Sequence, residues 1–272
     1  MGKLKISSNY NETTGQCIDI TPQSANWKYV GFEVIALQVG QQTVQETLEN
    51  EVVVVVLTGI VSVKTNHGQW RGIGKRMNVF EKIAPYAVYI PAHETVEIVA
   101  ETEAELAFCK APGQGNYEAR LITPADMDVE VRGKGHTERL IHHILPESKS
   151  ADSLLVVEVF TPEGHWSSYP PHKHDELRLP EESYLEETYY HKVLPEHGFA
   201  IQRVYTDDRE LDETMVVANN DVVLVPKGYH PVCAPPGYEG YYLNVMAGPV
   251  RSWKFTNDKD HEWISDSWDK NK

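Results

Sequence analysis

The stretch DVVLVPKGYHPVCAPP (Asp221–Pro236), followed by GYYLNVMAGP (Gly240–Pro249), has a counterpart in the other half of the chain. There VYIPAHETVEIVA (Val88–Ala100) is followed by AELAFCKAP (Ala104–Pro112). Aligning Pro91 with Pro226 sets Ala92 against Lys227 and Thr95 against His230. Each segment is short, rich in β-branched and aromatic residues, and bounded by Pro/Gly turns, which reads as strand–turn–strand. The chain therefore looks like two copies of one β-barrel that differ at an interior position.

Working outward, VVVVVLTGIVSV (Val52–Val63) reads as strand, tight turn at Thr58-Gly59, strand. SLLVVEVFT (Ser153–Thr161) and FAIQRVYT (Phe199–Thr206) continue the pattern in the second half. Long amphipathic helical segments are absent, so the expected class is all-β, two barrels or jelly rolls in one chain. The expected division is an N-terminal barrel over 1–125, a connecting segment over 126–150, and a C-terminal barrel with its tail over 151–272. The connector contains VRGKGHTERLIHHILPESKS (Val131–Ser150), with room for one short helix around Glu138–Ile144. The tail FTNDKDHEWISDSWDKNK (Phe255–Lys272) reads as a terminal arm, packed or partly loose.

Composition narrows the partners. A chain of 272 residues with 41% hydrophobic content can bury a real core. The formal net charge of -15 repels phosphate backbones and anionic membrane surfaces, so neither nucleic acid nor membrane is expected. A local cationic pocket can still hold an anionic small molecule. Cys17, Cys109 and Cys233 are odd in number and far apart, which argues against a disulfide framework. The N-terminus has no apolar signal core. Gly2 meets one demand of a myristoylation signal, but Ile6 stands where Ser or Thr is needed. A cytoplasmic enzyme is the expectation, and a homo-oligomer is compatible with it.

The segment SSYPPHKHDELRLPEESYLEETYYHK (Ser167–Lys192) carries the chemistry. His172 and His174 are two apart, so on a strand both imidazoles face one side. A carboxylate follows at Glu186 or Glu187, with Asp175 and Glu176 as alternatives if the loop folds back. Glu187 is preferred because ETYYHK continues as a strand with aromatic residues. His230, after the Pro226-Lys227-Gly228 turn, supplies a third imidazole. Three imidazoles and one carboxylate suit one divalent ion, Zn²⁺ first, with Mn, Fe, Ni or Co as alternatives. The first half has no matching set. Thr95 takes the place of His230, and His67 and His93 read as turn or surface residues.

These spacings resemble the two motifs of the cupin superfamily, with departures. Twelve residues separate His174 from Glu187, Leu194 stands where a glycine is expected, and one residue separates Gly228 from His230. More specifically, YPPHKHDE, EETYYHK, FAIQRVYTDDRELDETMVVANNDVVLVPKGYHPV and GYYLNVMAGPVRSWKFTNDKDHEW resemble a bicupin isomerase family. It joins 5-deoxy-glucuronate isomerases with 4-deoxy-L-threo-5-hexosulose-uronate ketol-isomerases. The likeness covers nearly the whole second half, extends into VRGKGHTERLIHHILPE (Val131–Glu147), and runs more loosely across the first half. It implies a bicupin fold and a metal-dependent aldose–ketose isomerisation of a small sugar acid in inositol catabolism. Carried over by motif, the metal ligands fall on His172, His174, Glu187 and His230.

Such a reaction needs a cationic group for the substrate carboxylate and hydroxyl-binding groups. Arg203, Lys227 and Tyr190 are the leading candidates. Tyr189 and Tyr190 alternate faces, so one of them enters the barrel. Arg203 in a barrel strand needs either a ligand or an ion pair with Asp207 or Asp208. Lys173 points away from the ligands flanking it, and His191 reads as a surface residue, or as a base if the strand register brings it inward. RLIHHI, with Arg139, His142 and His143, reads as interdomain packing or a substrate contact. RGIGKR (Arg71–Arg76) lacks the features of a phosphate loop, and DDRELDE (Asp207–Glu213) reads as a solvated loop. A metal-dependent dioxygenase is the competing enzyme class, and it would need an apolar cavity. A non-catalytic binding or storage cupin is the third reading, and such proteins often lose metal ligands.

Overall fold

The computed structural model describes residues 3–265, and nearly all of its regular structure is strand. The chain divides by its contacts into two units. One comprises 8–128 and 143–156, the other 3–7, 129–142 and 157–265 among the described residues. Among these, no helix is long and apolar enough to cross a membrane.

The first unit holds two antiparallel sheets. In the six-stranded sheet the order is Arg120–Ile122, Ala87–Ile90, Asn50–Thr58, Ala104–Pro112, Gly31–Leu37, Gln16–Ile20. The four-stranded sheet runs Gln42–Glu46, Thr95–Ala100, Val61–Lys64, Gln69–Ile73. Val52–Leu57 is buried at every position, because its strand lies inside the sheet and both faces are covered. That explains a continuous valine run where a half-exposed strand would alternate. Val54, Val56, Val63, Ile98, Leu106 and Phe108 share one core. Each such side chain stabilises by about 1.5–3 kcal/mol.

The second unit is built around a seven-stranded sheet. Its order is Lys5–Ile6, Val222–Val225, Glu186–Leu194, Glu239–Ala247, Leu155–Thr161, Arg139–Leu145, Asp128–Arg132. A four-stranded sheet runs Trp166–Ser167, Val232–Cys233, Phe199–Tyr205, Asp212–Ala218. Two ribbons complete the unit: His172–Lys173 with Thr256–Asn257, and Asp175–Arg178 with Glu182–Tyr184.

One element differs from the sequence expectation. The stretch read as a short helix, Glu138–Ile144, is the strand Arg139–Leu145. RLIHHIL has a charge and two histidines that fit a helix face, but pairing with both neighbouring strands decides its state. This strand and its neighbour Asp128–Arg132 lie in the segment expected to be a connector, and the contact division passes through that segment. Of the tail, Phe255–Ser265 is described. Asp258 accepts a hydrogen bond from the buried Tyr205 hydroxyl at 2.7 Å. Trp268 and its neighbours lie outside the described residues.

Candidate metal centre

Strand alternation positions the carboxylate. Glu187 faces Val225 on one neighbouring strand and Met246 on the other. Glu187, Tyr189 and His191 share one face, and Glu186, Thr188 and Tyr190 share the other. The twelve residues between His174 and Glu187 fold as the Asp175–Arg178/Glu182–Tyr184 ribbon, which returns the chain to the cluster. His230 is delivered by the Pro226-Lys227-Gly228 turn. Gly228 has φ of +89°, and a Cβ there would lie 2.4 Å from the Tyr205 carbonyl oxygen, so glycine is required. The Gly228 N–H donates to Asp175 Oδ2 at 2.8 Å, which ties this turn to the histidine-bearing segment.

The three side chains converge. His174 Nε2 lies 3.1 Å from Glu187 Oε2, and His230 Nε2 lies 3.2 Å from the same oxygen. All three residues are buried. The other ring nitrogens face backbone carbonyls: His174 Nδ1 sits 3.1 Å from Leu185 O, and His230 Nδ1 2.8 Å from Gly228 O. A carbonyl can only accept, so each Nδ1 carries a proton; a neutral His230 ring then presents a bare Nε2, while His174 Nε2 hydrogen-bonds the Glu187 carboxylate. His230 Nε2 is buried without a hydrogen-bond partner. Two imidazole nitrogens and a carboxylate oxygen that converge on one point form a donor set that a cation completes, displacing the proton His174 shares with Glu187. His172 stands beside this trio, its ring centroid 4.9 Å from that of His230 and 6.4 Å from that of His174. Its ring atoms lie outside the three-residue cluster, so the structure brings together three of the four expected ligands and places the fourth adjacent.

The electrostatics agree with this chemistry. Burial pushes the His230 pKa down to about 4. Burial, then the neighbouring His230 and His174, hold His172 well below the ordinary histidine value. Burial also opposes charge on His174, but the hydrogen bond and charge of Glu187 outweigh it and raise its pKa. In the absence of an ion, a proton on His174 offsets Glu187. A divalent cation does the same for all three groups.

A narrow cleft of about 30 Å³ reaches the cluster at Glu187, with His172 beside it. Its polar lining includes Arg139, Arg132, Tyr189, Tyr242, Asn244 and Ser168, beside His172 and Glu187. The Tyr189 hydroxyl lies 2.8 Å from Ser168 Oγ. Burial, then Glu187, raises the Tyr189 pKa, and burial raises that of Tyr242, so both phenols stay protonated at neutral pH and can donate. Sequence reading missed Arg132, Tyr242, Asn244, Ser168 and Trp253, which lie far from the histidine motif. Arg139 was visible in RLIHHI, but on a helix its phase gave no direction.

The other expected site residues fall elsewhere. Arg203 points outward and makes a two-pronged ion pair with Asp212, at 2.7 Å through both Nε and Nη2. Gln202 and Val204 hold the buried face of that strand, so Arg203 takes the opposite one. Tyr190 is buried on the face away from Glu187 and donates to Asn220 at 3.0 Å. Lys227 is half-buried in the turn and is not among the residues lining the cleft. Lys173 pairs with Asp207 at 2.7 Å and Asp175 at 3.2 Å, as its strand phase implied. His191, expected at the surface, is buried, with Nε2 2.9 Å from Gln202 Oε1 and its pKa pushed down to about 4 by burial. His142 is buried against Glu158 at 2.7 Å. In the first unit Thr95 opens a strand, His93 occupies a left-handed turn position, and His67 contacts Glu94.

Known proteins extend the picture. Residues 5–264 match the KduI/IolB family. A protein of Geobacillus thermodenitrificans named 5-deoxy-glucuronate isomerase is 64% identical over 98% of this chain and 97% of its own length. A Bacillus subtilis protein of the same name is 49% identical over 90% of this chain and 91% of its own. The crystal structure of an IolB-like protein from Salmonella typhimurium superposes with a TM-score of 0.95 at 51% identity, covering 97% of this chain and all of the other. Lactobacillus farciminis oxalate decarboxylase, at 12% identity and a TM-score of 0.64, shares the fold over 98% of this chain and 91% of its own, and the fold is bicupin. The chain belongs to the KduI/IolB family.

Proposed function

We propose that this chain is a metal-dependent aldose–ketose isomerase that converts 5-deoxy-D-glucuronate to 5-dehydro-2-deoxy-D-gluconate in myo-inositol catabolism. The observation that carries the metal dependence is the convergence of His174 Nε2 and His230 Nε2 on one Glu187 oxygen, at 3.1 and 3.2 Å, in a buried site. The substrate rests on the relatives named 5-deoxy-glucuronate isomerase.

His174, Glu187 and His230 hold the ion, with His172 beside them as the fourth ligand. Zn²⁺ suits the donor set best, and Mn, Fe, Ni and Co are also compatible. When bound, the ion supplies Lewis-acid stabilisation of the charge that develops on the C1 and C2 oxygens, worth several kcal/mol. The chain does the rest. The Leu185 and Gly228 carbonyls hold the Nδ1 protons, so Nε2 is the atom each ring turns towards the ion. Ser168 orients the Tyr189 hydroxyl, and the Tyr189 and Tyr242 phenols donate to sugar oxygens. The cationic and hydroxyl-bearing lining favours a sugar acid over the apolar substrate a dioxygenase of this geometry would take.

The test is direct. Metal-loaded protein is incubated with 5-deoxy-D-glucuronate and ketose formation is followed by NMR. Turnover with loss of the aldehyde signal is expected. No turnover in protein carrying a full complement of metal contradicts the reading.

A further inference from the structure

Arg139 has an unusual environment. It lies one strand in from the edge of the seven-stranded sheet and is 6% exposed. Its Nη1 donates to two backbone carbonyls, Thr137 O at 2.9 Å and Tyr169 O at 3.3 Å. Among the described residues no carboxylate lies within ion-pair distance of the guanidinium, and no acceptor meets Nε or Nη2. Glu130 pairs with Arg132 instead, at 2.8 and 2.7 Å. Gly133, with φ of +90°, leaves room for the side chain. A Cβ there would lie 2.9 Å from Arg139 Nη1 and 2.1 Å from Thr137 O. Burying a cation without a counter-charge is costly, and burial accordingly lowers the Arg139 pKa. The guanidinium lines the same cleft as His172 and Glu187, and Glu187 is the one carboxylate in that lining.

We infer that Arg139 is the carboxylate anchor of the cleft. It receives the acid group of a sugar acid on its free Nε–H and Nη2–H edge, while the carbonyls on Nη1 hold the plane of the fork. This deepens the isomerase reading and rests on it for the substrate class. An Nε/Nη2 edge matches the two oxygens of a carboxylate, so the contact selects acids over neutral sugars. Binding energy gathered there, away from the reacting carbons, orients C1 and C2 towards the cluster. Arg139 thus takes the role that strand phase denies to Arg203.

The test separates the anchor from the reaction. Affinity for D-gluconate and for neutral D-sorbitol is measured by calorimetry on metal-free wild-type protein, R139Q and R139K, with thermal melts to establish folding. Wild type should bind the acid better than the polyol. R139Q should lose roughly 10- to 150-fold in gluconate affinity with sorbitol unchanged. R139K should fall between, keeping charge but losing the fork. Unchanged gluconate affinity in folded R139Q and R139K overturns the proposal, as does a wild type that binds acid and polyol equally. Arg139-dependent acid binding in a protein that does not isomerise 5-deoxy-D-glucuronate leaves the anchor standing and removes the isomerase reading.

Discussion

His230 Nε2 lies 3.2 Å from Glu187 Oε2 while the opposite nitrogen of the same ring is tied to the Gly228 carbonyl at 2.8 Å. The backbone therefore sets the tautomer, and the tautomer points a lone pair at a carboxylate. His174 repeats the Nδ1 tie through Leu185, and its Nε2 hydrogen-bonds the same Glu187 oxygen. His172 does not: its Nδ1 is 3.4 Å from the Pro170 carbonyl, and its ring atoms stand outside the cluster. The ligands should then rank. His174→Ala and His230→Ala should weaken Zn²⁺ binding more than His172→Ala, and each by more than the roughly 10- to 100-fold that loss of a supporting hydrogen bond costs. Competition with a chromophoric chelator measures the order, and a His172→Ala defect equal to or larger than the others contradicts it.

The turn before His230 should be intolerant of any side chain. Gly228→Ala places a Cβ 2.4 Å from the Tyr205 carbonyl oxygen in a left-handed conformation. A loss of about 1–3 kcal/mol in unfolding free energy is expected, with weaker metal binding because His230 shifts. Chemical denaturation checks the first and metal titration the second. A fully stable Gly228→Ala variant contradicts the account of the turn.

Arg203 should be dispensable for catalysis. Its partner is Asp212 on the outer surface, an exposed pair worth about 0.2–1 kcal/mol. Arg203→Ala should keep kcat/KM within about twofold of wild type and lower stability slightly. A KM increase of tenfold or more for the uronate, with kcat unchanged, would return Arg203 to the site.

Buried imidazoles make stability depend on pH. The His191 and His230 pKa values are held near 4 by burial, against about 6.5 in an unfolded chain. Between those values the unfolded state binds protons that the folded state refuses. Stability from these groups is fully present above pH about 6.5 and is lost as pH falls towards 4. Each contributes a slope of about 1.4 kcal/mol per pH unit in that window. In metal-free protein His191→Gln should reduce the slope of unfolding free energy between pH 4.5 and 6 by about one such unit. An unchanged slope contradicts a neutral buried His191.

Much of the architecture was legible because hydrophobic alternation and Pro/Gly turns repeat in both halves. The three histidines stood out because HxH on extended chain and a Pro-x-Gly-x-His turn fall at cupin-like spacings, and the structure brings His174 and His230 together with Glu187 while His172 stands beside them. Glu187 over Glu186 followed from strand phase, and the register on both neighbouring strands places Glu187 on the cluster face. The cation was misplaced for a related reason. In FAIQRVYT alternation defines two faces without saying which is inside, and the reading took the charged one inward. Gln202 occupies the buried face instead, satisfied in part by His191. Arg139 was legible only as one end of a choice between interdomain packing and a substrate contact, because RLIHHI carries no local sign of the strands that flank it, and only long-range pairing makes it a strand.

The central claim is that this chain binds one divalent ion on His174, Glu187 and His230. The most direct measurement is metal content per chain, by inductively coupled plasma mass spectrometry, for wild type, Glu187→Gln and Glu186→Gln purified after identical Zn²⁺ loading and dialysis. The account predicts one ion per chain in wild type and in Glu186→Gln, and close to none in folded Glu187→Gln. A Glu187→Gln protein that keeps a full complement of metal, or a folded wild type that holds none, contradicts it.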